Sequence, residues 1–153
     1  MKKVLEIFVI VVIALILLAI VLVVIVPPIQ NAIVLNGLVR DFKKTLENDY
    51  GIEVIEMQSA SGKLCGNGNG INQFGTALVR ADSVSDVGAL VAELGERFGY
   101  ADYWVQEGQE IDSRYNEHQR MKYSTLLADD LEYYSICFFT SSKYSNLLDL
   151  SGH

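Results

Sequence analysis

From Val4 to Val26 the chain runs through twenty-three positions with one charged side chain, Glu6, and no Gly, Ser, Thr, Asn or Pro. Twenty of these positions are Val, Ile, Leu or Phe. A helix of that length rises about 34 Å, slightly more than the roughly 30 Å hydrocarbon core of a bilayer. At about −0.3 kcal/mol each, the low end of the insertion scale, the apolar side chains total about −6 kcal/mol. The many β-branched residues would weaken a helix in water, but in lipid every backbone amide has to be paired within the segment. The pattern predicts a transmembrane helix, with residues 1–28 forming a signal anchor.

The start Met1-Lys2-Lys3 has the character of an export signal, but the apolar run outlasts the usual stretch of about 7–15 residues. No small-x-small cleavage site follows at the right distance, so the expected segment stays attached. Lys2 and Lys3 favour a cytoplasmic N-terminus. Arg40, Lys43 and Lys44 beyond the run pull the other way, although long downstream domains translocate despite their charge. The expectation is a single-pass protein of the cell membrane whose remaining residues, 29–153, form an extracytoplasmic domain.

Beyond the run the pattern changes. Pro27-Pro28 is expected to end or bend the first helix, because neither residue donates a backbone hydrogen bond. Over about Gln30–Asn48 an apolar stripe of Ile33, Leu35, Leu38, Val39, Phe42 and Leu46 predicts an amphipathic helix, closed near Gly51. Strands are expected over Ile52–Gln58 and Phe74–Ala81, separated by the turn-rich Cys65-Gly66-Asn67-Gly68-Asn69-Gly70. Asp82 and Ser83 are expected to cap a helix reaching Phe98, where Gly99 stops it. Tyr100–Glu107 and Leu131–Thr140 read as further strands, and the polar stretch between them has room for a short one over Met121–Leu126. Two one-faced helices need a sheet to cover. The expected fold is α+β: the transmembrane helix, then a two-layer α-β-β-α-β-β sandwich with an antiparallel sheet, in a permuted ferredoxin-like arrangement.

Glu6 near the start of an apolar run, followed by Pro27, Gln30 and a long amphipathic helix, resembles the N-terminal stem of type IV pilins and pseudopilins. The resemblance covers about the first 50 residues and implies a filament subunit whose stem glutamate pairs with a neighbouring copy. The distance from Glu6 to Pro27 is longer than the pilin spacing. Beside it stands the plainer reading of Glu6 as an interfacial carboxylate close to Lys2 and Lys3.

Charge narrows the partners. The net charge is −7, and the first 26 residues carry only Lys2, Lys3 and Glu6, a sum of +1, leaving −8 on the rest. Such a domain repels phosphate backbones and anionic head groups, so nucleic acid is not an expected partner. The expected partners are the lipid bilayer and another envelope protein or small ligand.

The chemistry-bearing residues are few. Cys65 and Cys137 are the only cysteines, an even pair that forms a disulfide candidate in an oxidising compartment. Gly66, Asn67, Gly68, Asn69 and Gly70 could present backbone amides to an anion, but without the lysine and hydroxyl of a phosphate loop they read first as a hairpin connection. Glu117, His118 and His153 complete the ligand-binding candidates, yet no spacing supplies the converging set a metal needs. No base sits beside a nucleophile, so no catalytic residue, metal or cofactor is assigned. The aromatic residues of the second half, among them Tyr100, Tyr103, Trp104, Tyr133, Tyr134, Phe138, Phe139 and Tyr144, would line both faces of a sheet, and a second aromatic face needs a cover or a partner. The leading expectation is a membrane-anchored, non-catalytic binding or interaction module. The alternatives are a pilin-like filament subunit and a small envelope hydrolase or metal-binding enzyme.

Overall fold

The computed structural model describes residues 2–62, 71–112, 121–142 and 144. It begins with one helical stem, Lys2–Asp49, the only helix among the described residues long and apolar enough to cross a membrane. A signal sequence at this position has the same character. The stem comprises α1 (Lys2–Ile20), a wide π turn at Val21–Ile25, α2 (Val26–Lys44) and a second π turn at Thr45–Asp49. Of the two outcomes expected at Pro27-Pro28, an end or a bend, the end does not occur. Both prolines fall in the first turn of α2, where a missing amide is tolerated, and the preceding wide turn lets the Val26 amide reach Val21 O. No residue of α1 is buried. In the second half Asn31, Leu35, Phe42, Thr45 and Leu46 are buried along one helical face.

That face lies on a four-stranded sheet. Strands β1 (Val54–Gly62), β2 (Asn72–Arg80), β3 (Tyr100–Val105) and β4 (Tyr133–Ser141) stand in the order β1-β2-β4-β3, every neighbouring pair antiparallel. Helix α3 (Val87–Phe98) connects β2 to β3. The element order matches the expected α-β-β-α-β-β. The expected cap is displaced by one turn: Ala81–Ser83 forms a 3-10 turn in which Asp82 pairs with Arg80, and Asp86 caps α3 by accepting the Ala89 amide at 3.0 Å.

Period-two alternation gives the sheet two apolar faces. One, with Val54, Ala77, Val79, Ile136 and Phe138, packs on Leu35, Phe42 and Leu46 of the stem and on Leu90, Leu94 and Phe98 of α3. At its centre three rings meet: Phe42 lies 5.1 Å from Phe98 and 5.0 Å from Phe138, centroid to centroid. Gly75 stands opposite Phe138 in the β2–β4 register, and a Cβ there would enter the Phe138 ring.

The other face, with Phe74, Leu78, Tyr133 and Cys137, has the first of the two things expected of a second aromatic face, a cover. Ile111, Met121, Tyr123 and Leu127, from the polar stretch between β3 and β4, cover it. In place of the expected strand at Met121–Leu126 there is an isolated antiparallel bridge, Glu110 to Lys122, with the Tyr123 amide donating to Gln109 O at 2.8 Å. This strap turns the expected two layers into a helical layer, a sheet and an irregular cover.

At the outer edge, pairing of Gln106 N with Tyr133 O sets the phase of β3, so Ala101, Tyr103 and Val105 turn their amides away from β4. The Tyr103 amide donates instead to Asp102 Oδ1 at 2.8 Å, and Tyr100 Oη donates to the same carboxylate at 3.1 Å.

Candidate functional site

The polar chemistry concentrates at two places, the seam under the strap and the junction of stem and sheet. In the seam, Tyr123 is fully buried, with its hydroxyl 2.8 Å from Thr76 Oγ1 and 3.0 Å from Ser135 Oγ. Ser135 Oγ donates to Gln106 Oε1 at 2.7 Å, which also accepts from Trp104 Nε1 at 2.8 Å. The direction of the chain follows from donor capacity. Gln106 Oε1 can only accept, so the Ser135 proton is committed to it; Tyr123 then donates to Ser135, and Thr76 donates to Tyr123. Gln106 Nε2 completes the set by donating to Gly108 O and Glu110 O at 2.9 and 2.8 Å. Among the described residues no buried side-chain polar atom lacks a partner.

Glu56, on β1, latches the strap from the side. Its Oε2 accepts the Thr125 amide at 2.9 Å and the Thr125 and Ser124 hydroxyls at 2.8 and 3.0 Å. The Ser124 amide donates to both carboxylate oxygens, and Gln58 Nε2 donates to Oε1 at 2.8 Å. Burial opposes ionisation, but the Ser124 and Thr125 amides, the Gln58 amide and the Thr125 hydroxyl outweigh it and hold the carboxyl at about 2, below its ordinary 4.5. For Tyr123 burial dominates and pushes the phenol to about 12, against the lowering effect of its two hydroxyl partners. Near neutral pH Glu56 is therefore a fixed anion and Tyr123 a fixed donor. Neither has the intermediate proton affinity that general acid–base catalysis uses.

Two expected results follow. Glu56→Gln keeps the shape but turns an amide group toward amide donors, and should cost about 1–2 kcal/mol, a figure already reduced for solvent screening. Because the folded carboxyl titrates below its unfolded value, the Glu56 contribution is full above about pH 4.5 and disappears as pH falls toward 2. Stability curves of wild type and Glu56→Gln should converge across that window. Tyr123→Phe leaves Ser135 without a donor and the Thr76 proton without an acceptor, and should cost about 1–3 kcal/mol in denaturant titration.

At the junction, Asn31 is buried on the stem. Its Oδ1 accepts from Ser142 Oγ, its Nδ2 donates to Tyr144 O at 3.2 Å, and its carbonyl accepts from the buried Gln73 amide at 3.2 Å. Two chain segments, the start of β2 and the end of β4, are thereby tied to one helical turn. A groove of about 270 Å³ opens beside it, walled by Pro28, Ala32 and Asn36 on one side and Ser59, Ser61 and Ile71 on the other.

No family model, curated protein or solved structure matches this chain.

Of the disulfide and ligand-binding candidates, Cys137 is described. It is fully buried on the strap side of β4, and no disulfide joins it to a described residue. Cys65, Gly66, Asn67, Gly68, Asn69, Gly70, Glu117, His118 and His153 lie outside the described residues. Among the described residues no three His, Cys, Asp or Glu side chains converge as a metal site. The residues that do come together carry weak or no signals in the sequence. Asn31 shows itself as an amide on an otherwise apolar stripe. Glu56, Tyr123 and Gln106 are ordinary polar residues whose partners are distant along the chain.

Proposed function

We propose that this chain is a membrane-anchored, extracytoplasmic binding or interaction module that is not a catalyst, carried on a rigid stem with its N-terminus in the cytoplasm. One observation carries the reading: α1 presents apolar side chains all round with none buried, and continues without a break into a helix packed on the sheet. An apolar surface of that length needs lipid or the stems of other copies around it. The acidic surface favours an envelope protein or a cationic or neutral small ligand over nucleic acid. A Cys65–Cys137 disulfide fits the same compartment. The strand order also supports a permuted ferredoxin-like topology as the scaffold.

A pilin-like filament subunit is the second reading, favoured by the same unbroken stem lying on one face of an antiparallel sheet. The two separate in a fractionation. An anchored module should stay in the membrane pellet after alkaline carbonate washing, as a monomer that retains Met1. Polymers sheared from the cell surface, built from a chain with a processed N-terminus, would support the filament and end the first reading.

A further inference from the structure

Resting on the anchored reading above, we infer that the stem-proximal end of the sheet is a lipid-contacting surface, seated among phospholipid head groups. The stem sets the height. Asn31 stands five residues beyond Val26, a rise of about 8 Å, while the head-group layer is about 5–8 Å thick on each side of the hydrocarbon. Asn31 is tied to Gln73, Ser142 and Tyr144, so the ends of β2 and β4 are held at that same height. The Ser142 amide donates to Ile71 O at 2.7 Å, which brings in the entry to β2, and Gly62 pairs with Asn72.

Charge and exposure agree with this placement. The stem carries no charge from Ile7 to Val39, nor do Met57–Gly62, Ile71–Val79 or Tyr133–Ser142. The far end holds the carboxylates Asp49, Glu53, Asp82, Asp86 and Glu132 with Arg80, whereas the charged residues next in sequence to the stem-proximal strand ends are the cations Lys63, after Gly62, and Lys143, after Ser142. Beyond the apolar run, Ile29 and Ile33 remain 54% and 66% exposed on the stem face turned from the sheet, which suits the boundary between acyl chains and head groups. The groove beside Asn31 opens at this level with amide, hydroxyl and apolar walls. Its described lining offers hydroxyl and amide groups that suit the phosphate and ester oxygens of a phospholipid head group.

The test places a photo-reactive benzophenone amino acid at Leu15, Ile33, Ser61 or Ser83 of the full chain in phosphatidylcholine vesicles, with adducts read by mass spectrometry. Leu15, Ile33 and Ser61 should give phospholipid adducts, and Ser83, at the far end, should give several-fold fewer. Ile33 lies on an open helix face, so its probe displaces no packing. Lipid adducts at Leu15 with none at Ile33 and Ser61, or adducts there to a second copy of the chain, would overturn the lipid seat and leave the anchor standing. Absence of lipid adducts at Leu15 would bring down the anchor itself.

Discussion

Phe138→Ala is expected to lower the unfolding free energy by about 3–5 kcal/mol, measured by denaturant titration of the full chain in detergent. Phe138 is fully buried where the stem, α3 and the sheet converge, and its ring contacts both Phe42 and Phe98. Removing it therefore loosens three elements at once and leaves a cavity between parts that are tied together elsewhere. The site is shaped from the other side by Gly75, whose missing Cβ is the space the ring occupies. Gly75→Ala alone should cost about 1–3 kcal/mol through overpacking. In the Phe138→Ala background it should cost markedly less, because the added methyl then enters the vacated space. Additive costs would mean that the two positions do not share that space.

This pairing also marks where sequence reading reaches its limit. The stem, the four strands and α3 announce themselves by repeated spacing: the unbroken apolar run, the stripe through Leu35, Phe42 and Leu46, the alternation in Tyr133–Ser141. Their ends are less legible. The α3 cap moves from Asp82 to Asp86 because Arg80, two residues upstream, engages Asp82, and β1 runs on to Gly62 through small polar residues with little strand character. The prolines appear as a break because the local rule omits the wide turn that absorbs them. The strap has no period at all. Its anchors, Ile111, Tyr123 and Leu127, are isolated apolar residues in a polar stretch, and only the sheet beneath them gives them a common role. The candidate seam is hidden for the same reason, since Thr76, Tyr123 and Ser135 come from three separate segments. The ligand-binding candidates fare differently, because all of them, and Cys65 with them, fall outside the described part of the chain.

Arginines at Leu15 and Leu18 together are expected to abolish membrane retention. Each is penalised by about 2.5–3.5 kcal/mol near the centre of a span on the insertion scale, so the pair offsets the roughly −6 kcal/mol of the apolar run. Either single substitution should leave most of the protein in the pellet after alkaline carbonate extraction, while the double substitution should release it. The sheet makes no contact with these positions, as α1 has no buried residue, so the released protein should keep its domain fold and circular dichroism. Retention of the double variant would mean that something other than the hydrocarbon core holds the chain.

In the anchored reading proposed above, tethering would confine copies to a plane, where collisions between domains would be far more frequent than in free solution. Sheets with a bare rim are hazardous under such crowding, since a rim that templates one extra strand can template an endless ribbon. On the β3 side that route is discouraged. Asp102 occupies the Tyr103 amide and sets a negative charge on the rim, so an incoming strand would have to displace the carboxylate before it could bond there. Copies held in that way could pack closely along the surface while this rim resists fusing them into a continuous sheet.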